Sequence, residues 1–131
     1  MDSIQTIIEA KADVLTGDGV CEDCIVEAEH ELGLKFAPDY RSYLRLYGVA
    51  AYDGHELTGL TKSPRVNVVA VTKEAKKNNP NIPQEFYVLE EAGVEEIIVW
   101  QATSGEVFCS SPNSSLQKIC DSMGDYIIGI F

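Results

Sequence analysis

The chain has 131 residues, of which 21 are acidic and 10 basic, so its formal net charge is −11, and 45% of the residues are hydrophobic. A chain of this length buries about two-thirds of its surface on folding, and we expect one domain over residues 1–131. No stretch approaches the roughly 20 apolar residues of a membrane span, and residues 1–5 lack the order of a signal peptide. These features predict a cytoplasmic protein that does not bind membranes.

The negative charge also bears on the kind of partner. A strongly acidic surface repels the phosphate backbone, so nucleic acid is not expected to bind. The same field attracts basic proteins and raises their association rate in a salt-dependent way. Solubility alone explains the charge equally well.

Two helices are predicted near the start of the chain. The first is capped by Ser3, carries apolar residues as far as Leu15 and ends at the glycine turn 17–19. The second covers about 22–32, has acids in its first turn and stops at Gly33. Three acidic residues of this second helix are expected to face water: Glu27, Glu29 and Glu31.

A third helix is predicted from Pro38 to the residue before Gly48, because proline is well tolerated in a first helical turn. Its tyrosines recur at helical spacing, at Tyr40, Tyr43 and Tyr47. A ligand-stacking surface is one interpretation, but a stripe of this kind is typical of a core. We expect the tyrosine hydroxyls to reach the rim of that core.

The second half of the chain changes to β-type runs. Asn67 is placed to cap a helix over 67–77, and Ser122 to cap a C-terminal helix. A turn at 103–105 is expected to join the last two strands. The predicted strands are 55–60, 85–89, 97–101 and 106–109.

Several of these stretches together resemble the signature of the SUKH superfamily, the Smi/Knr-type proteins. In that family one helix ends in a Leu-Gly pair, as at Leu32-Gly33, and the next carries Asp-Tyr, as at Asp39-Tyr40. A Gly-Xaa-Glu-Leu-Xaa-Gly-Leu run follows, as at 54–60, and 122–127 resembles the closing motif, with Met123 in place of the usual aromatic residue. The resemblance covers about 22–130 and implies an α+β fold with a mixed or antiparallel sheet flanked by helices.

The resemblance also implies a function. Bacterial members of the superfamily typically serve as immunity proteins that bind and neutralise toxin domains, commonly nucleases, of polymorphic toxin systems. The acidic charge fits a basic toxin. Two alternatives stay open: a regulatory scaffold or adaptor, as fungal members are thought to be, and a small-ligand binder. Fungal members carry long extra segments that this chain lacks, which favours immunity.

Charge and aromatic side chains indicate a candidate partner-binding surface. It combines an acidic run, an acidic loop and two aromatic residues: Glu90, Glu91, Glu95, Glu96, Asp53, Glu56, Tyr52 and Trp100. The alternative is that the acids are only solvated and that Trp100 belongs to the core. Its position at the end of a β-type run favours the core for that residue.

Metal or redox chemistry has weak support. Cys21 and Cys24 have the spacing of a metal or redox pair, but Cys109 and Cys120 do not form a second close pair, so we expect reduced, mostly structural thiols. Flanking acids are expected to raise the pKa of the first two thiols. The two histidines, His30 and His55, lie among acids and are expected to face solvent rather than bind metal.

No residue pattern supports catalysis. The chain has no Gly-Xaa-Ser-Xaa-Gly motif and no phosphate loop, because the 16–19 turn carries an acid and no following lysine. The adjacent acids Glu90-Glu91 and Glu95-Glu96 point in opposite directions on an extended chain, so neither pair converges as an acid and a base. We therefore expect a non-enzymatic protein without a cofactor.

Overall fold

The structure is a computed structural model that describes residues 3–91, 96–112 and 114–129. In this part of the chain the helices are α1 (Ile4–Glu9), α2 (Glu22–Leu32), α3 (Pro38–Tyr47), α4 (Val68–Asn78) and α5 (Met123–Ile128). The strands are β1 (Leu15–Thr16), β2 (Ala50–Tyr52), β3 (His55–Glu56), β4 (Phe86–Glu91), β5 (Ile98–Ala102), β6 (Val107–Ser111) and β7 (Ser114–Cys120). A short 3₁₀ helix covers Pro64–Val66.

The strands form two antiparallel sheets, a small one in the order β1-β2-β3 and a larger one in the order β4-β5-β6-β7. The α+β class with an antiparallel sheet and flanking helices, which the resemblance implied, is therefore confirmed. None of the helices in the described ranges is long and apolar enough to cross a membrane.

Four of the five predicted helices lie where the sequence placed them, and their caps explain why. The Asn67 side chain accepts from two backbone amides at the start of α4, and Gly33 ends α2 with a left-handed φ of 68°. The length predicted for the first helix is too great. The helix ends at Glu9, and Leu15 instead pairs with β2 and is 73% exposed.

The three strands expected in the second half are confirmed as β4, β5 and β6, and Gly105 turns the chain between the last two with a φ of 102°. The strand predicted over 55–60 is wrong beyond Glu56, because Leu57 and Thr58 leave β3 and enter the core. β7 was missed. Its polar sequence has no strong apolar alternation, and two register shifts interrupt its pairing with β6.

The prediction that the acids of α2 face water is wrong for Glu29. Glu29 does not face water but is buried, accepting from the Phe36 amide at 2.8 Å and from the Arg41 guanidinium at 3.1 Å. A buried carboxylate is stable only when its lone pairs are satisfied in this way. Glu29 thereby joins the end of α2 to the start of α3.

Two of the three tyrosines of α3, Tyr40 and Tyr43, form part of the core, as predicted, but their hydroxyls do not reach its rim. Tyr40 and Tyr43 are fully buried, and both bond to Thr58, through its hydroxyl at 2.8 Å and its carbonyl at 2.7 Å respectively. Thr58 in turn donates to the Val88 carbonyl at 2.8 Å. The predicted core position is right for Tyr40 and Tyr43, and the hydroxyls of these two are satisfied inside the core, whereas Tyr47 is only partly buried.

β4 is an edge strand of the larger sheet, and Thr58 and Thr72 form hydrogen bonds to its outer edge. The Val88 amide donates to the Thr72 hydroxyl at 3.0 Å, and the Leu89 carbonyl accepts from the Thr58 amide at 2.9 Å. Together with the Thr58 hydroxyl on the Val88 carbonyl, these bonds occupy backbone groups that a neighbouring strand would otherwise use.

Candidate functional site

A β-bulge near the end of β4 determines where the predicted acidic residues lie. The register with β5 shifts between Val88 and Glu90, so Leu89 is inserted and Glu90 pairs with Val99 while Glu91 pairs with Ile98. Val99 belongs to the main core, whereas Ile98 packs against the second hydrophobic cluster on the other face. The two adjacent glutamates therefore belong to two different surfaces.

On the first surface Glu90 is buried and links two distant segments. Its carboxylate accepts a short hydrogen bond from the Tyr126 hydroxyl of α5 and lies 3.0 Å from Nδ1 of His55 on β3. Burial is the largest cause that raises the pKa of the Tyr126 phenol, and the hydrogen bond to Glu90 is the next largest. This tyrosine therefore stays protonated and acts as a donor. The contact with Glu90 holds the Nδ1 edge of the imidazole, while about half of the His55 side chain stays exposed.

The β2–β3 hairpin presents this imidazole. Asp53 and Gly54 form its two-residue turn, with positive φ angles of 45° and 82°, as expected for a type I′ turn. His55 stacks on Tyr52 with ring centroids 5.1 Å apart. Burial raises the pKa of the Tyr52 phenol.

The acids of the hairpin already have cationic partners. The Asp53 carboxylate lies 3.8 Å from the Lys11 ammonium, and the Glu56 carboxylate forms a two-bond pair with Arg65 at 2.7 and 2.8 Å. The hydrogen bonds from Arg65 lower the pKa of Glu56, which stays ionised. Much of the hairpin's negative charge is therefore balanced within the chain.

The second surface is a groove of about 680 Å³ between α4 and the far face of the larger sheet. Val71, Ala75 and Ile98 give it an apolar lining, and three exposed acids, Glu74, Glu91 and Glu96, also line it. Within the described ranges no ion pair joins these three carboxylates to a cation. The groove thus combines uncompensated negative charge with apolar area.

Glu96 enters the groove with unusual backbone geometry. It has a φ of 57°, a left-handed conformation that non-glycine residues adopt uncommonly. Such backbone positions are held in place by the surrounding structure and concentrate at functional sites.

The structure separates the predicted partner-binding residues into three groups. Tyr52, Asp53, Glu56 and Glu90 lie at the hairpin, and Glu91 and Glu96 line the groove. Trp100 is fully buried and donates to the Ser110 hydroxyl at 2.9 Å, so the core position that its sequence context favoured is right. Tyr52 is also buried, so its assignment to an exposed surface is wrong. Glu95 lies outside the described residues.

Sequence reasoning missed the link between His55 and Glu90 and the groove residue Glu74. The contact joins residues 35 positions apart and depends on the bulge, which no local pattern reveals. The Asp53-Gly54 pair was a usable signal, because this dipeptide favours a tight hairpin. His30 and His55 are both exposed, as expected, and His55 also contacts Glu90.

The imidazole of His55 and the carboxylate of Glu90 are the reactive groups that the hairpin brings together. His55 and Glu90 form an oriented imidazole–carboxylate pair, but the hydrogen bonds of His55 within the described ranges all go to Glu90 and none to a hydroxyl or thiol nucleophile. In the same part of the chain no group of three or more His, Cys, Asp or Glu side chains converges to hold a metal ion.

Comparison with known proteins places this fold in a family. The chain matches the family model SUKH_5, described as SMI1-KNR4 cell-wall, over residues 1–131. It is similar to a crystal structure of a protein from Pseudomonas syringae pv. tomato, with a TM-score of 0.73 and 19% identity over 98% of this chain and 95% of that one. No curated protein matches the chain. The chain therefore belongs to the SMI1-KNR4 family of the SUKH superfamily.

Proposed function

We propose that the protein is an immunity protein that binds and neutralises a basic toxin domain of the nuclease class, and that the toxin docks in the groove between α4 and the sheet. The observation that carries this proposal is the set of three exposed carboxylates in the groove, at Glu74, Glu91 and Glu96, which have no cation among the described residues. Family membership and the net charge of −11 support the same function.

The groove supplies both components that a protein interface needs. Its carboxylates attract lysine and arginine side chains and orient the encounter, which sets the association rate. Its apolar lining, which includes Val71, Ala75 and Ile98, offers area for one or two buried anchors of the partner, and such anchors carry most of the affinity. A basic segment with an apolar or aromatic side chain at its centre is the partner that fits.

The hairpin is the less favourable docking surface. A toxin cation that binds Glu56 has to displace Arg65 from a two-bond pair, and one that binds Asp53 competes with Lys11. Glu91 and Glu96 require no such exchange among the described residues. We therefore propose binding without catalysis at the groove.

The first experiment uses immobilised full-length protein to capture partners from the source cells, with elution in steps of rising salt and identification by mass spectrometry. The captured domain is then expressed alone in a bacterial host. We expect it to arrest growth, and we expect co-expression of the wild-type protein to restore growth. A captured domain that is not toxic, or a toxic one that the protein does not relieve, overturns the immunity proposal.

Matched charge reversals test the position of the interface. The variant Glu91→Lys with Glu96→Lys should lose at least about tenfold in affinity at low salt and fail to protect cells. The control Asp53→Lys with Glu56→Lys changes the net charge by the same amount at the hairpin and should keep most of the affinity. If only the hairpin variant loses affinity, the toxin docks there and the groove assignment is wrong.

A small-ligand binder is the second candidate function, and the size of the groove favours it. Its volume of about 680 Å³ falls in the range of small-molecule pockets, roughly 300–1,000 Å³. The three carboxylates would select a cationic ligand such as a polyamine. Calorimetric titration with spermidine tests this, and a saturable 1:1 isotherm that Glu91→Gln weakens would support it.

A further inference from the structure

Two thiols lie close together at the start of α2. Cys21 is the N-terminal capping residue of this helix and Cys24 its third residue, and their Sγ atoms are 3.1 Å apart. Both are free and exposed. A disulfide has an S–S length of about 2.0 Å, so the two sulfurs need to approach by only about 1 Å. The structure thus brings two accessible thiols almost to bonding distance.

The backbone around the pair is held against α3. The Glu22 carboxylate lies between the two cysteines in sequence and binds Arg41 at 2.6 Å and Arg45 at 2.8 Å. The Val20 amide donates to the Leu44 carbonyl at 3.0 Å, and a Cβ on Gly19 would lie 1.8 Å from the Arg45 carbonyl oxygen. These contacts hold the backbone at the start of the helix, so the two cysteines are kept near each other.

The two thiols are not equivalent. The hydrogen bond between them lowers the pKa of Cys21 and raises that of Cys24. The expectation that flanking acids raise the pKa of both thiols is therefore wrong for Cys21, where the effect of Asp23 is smaller than that of the Cys24 bond. A thiol at a helix N-terminus is further favoured as the thiolate. Cys21 is thus the better nucleophile of the two.

The other two cysteines are less accessible than this pair. Cys120 is buried, which raises the pKa of its thiol to about 11, and Cys109 is only partly exposed on β6. Neither has a sulfur partner recorded within the described ranges. Replacing both by serine therefore leaves Cys21 and Cys24 as the thiols under test.

We propose that Cys21 and Cys24 form a thiol–disulfide exchange site that reacts with small-molecule disulfides of the glutathione class. In the first step the Cys21 thiolate attacks one sulfur of the substrate, a mixed disulfide forms, and the other half leaves as a thiolate. In the second step Cys24 gives up its proton and attacks the Cys21 sulfur, which expels the second half. Two protein thiols and one disulfide become one protein disulfide and two small thiols.

The test uses the full-length protein with Cys109→Ser and Cys120→Ser, incubated in buffers of defined reduced and oxidised glutathione, alkylated and analysed by mass spectrometry. We expect the loss of two hydrogen masses, mapped to a bond between Cys21 and Cys24. In that background Cys24→Ser should accumulate one glutathione on Cys21, because no second thiol resolves the mixed disulfide. In the same background Cys21→Ser should take up glutathione on Cys24 at least about fivefold more slowly than Cys24→Ser takes it up on Cys21.

Other results overturn the proposal. If the parent protein takes up a glutathione on each cysteine instead of closing an internal disulfide, the pair does not act as a unit. Equal rates for the two single variants show two ordinary exposed thiols. Circular dichroism of each variant confirms that the fold is intact, so a lost reaction is not attributed to unfolding. The test does not involve a toxin, so its result is separate from that of the proposed function.

Discussion

Glu90 and Glu91 are neighbours in the chain, yet their carboxylates lie on opposite faces of the four-stranded sheet. Glu90 contacts Tyr126 and His55 on the main-core side, and Glu91 lines the groove on the α4 side. The bulge at Leu89 produces this assignment. Without it, side chains that alternate between the two faces from Phe86 onward would place Glu90 on the α4 side and Glu91 on the main-core side. One inserted residue thus decides which glutamate stabilises the fold and which is available to a partner.

The first prediction compares these two residues by alanine substitution. Glu90→Ala removes a buried acceptor of hydrogen bonds from α5 and from the hairpin, so it should lower the free energy of unfolding by about 1.5–3 kcal/mol. Glu91→Ala removes an exposed carboxylate and should change it by no more than about 0.5 kcal/mol. Urea unfolding at neutral pH measures both. Equal losses would contradict the assignment of the two side chains to different faces.

The second prediction concerns Gly59, in the run that carries the family resemblance. A Cβ at this position would lie 1.8 Å from the carbonyl oxygen of Gly48, and the two glycine backbones approach each other for the Leu60–Gly48 hydrogen bond at 2.9 Å. Gly59→Ala must separate these segments and should cost more than about 2 kcal/mol.

Gly54→Ala provides the matched control. Gly54 has open space around its Cβ position but a φ of 82°, so its cost should be about 1 kcal/mol and arise from the backbone alone. Thermal unfolding of both variants gives the comparison. A Gly59→Ala protein as stable as Gly54→Ala would show that the close approach is not a constraint.

The third prediction is a pH dependence that arises from the tyrosines. Burial raises the pKa of all six, Tyr40, Tyr43, Tyr47, Tyr52, Tyr87 and Tyr126. Phenols of the unfolded chain lose their protons near pH 10, where the folded chain keeps them. The stabilisation is therefore complete below about pH 10 and decreases as the pH rises above it.

Ultraviolet absorbance of tyrosinate and near-ultraviolet circular dichroism, followed together against pH, measure this effect. We expect tyrosinate to form in step with the loss of tertiary structure. The pH of this transition should be higher than the pH at which tyrosinate forms in the same protein unfolded in urea. Full ionisation near pH 10 with unchanged circular dichroism would show that the phenols are solvent-accessible in the folded protein.

The sequence predicts much of the fold because the residues of the family signature make its internal contacts. The Asp39 carboxylate accepts from the Gln101 side chain at 3.0 Å and from the Met123 amide at 2.9 Å, so it holds α3 against the sheet and caps α5. Tyr40 and Tyr43 bond to Thr58. Recognisable residue patterns and helix caps therefore locate the elements that these contacts fix.

The candidate site is less predictable because it depends on pairing between distant segments. The link between His55 and Glu90, the bulge at Leu89 and the position of β7 beside β6 arise from tertiary register, which local periodicity does not encode. Charge composition indicated acidic residues as the candidate feature, and that assignment stays a prediction. Composition could not show that Arg65 and Lys11 balance the hairpin acids while the groove acids stay available.

The threonine cover along the outer edge of β4 limits how a partner can be recognised. With the Val88 amide bonded to Thr72 and the Val88 and Leu89 carbonyls bonded to Thr58, three backbone groups in the middle of this edge are already paired and are not open to an added strand. A peptide therefore cannot extend the sheet there by main-chain pairing, and recognition on this side depends on side-chain shape and charge. The same cover protects two folded copies from joining edge to edge into larger aggregates.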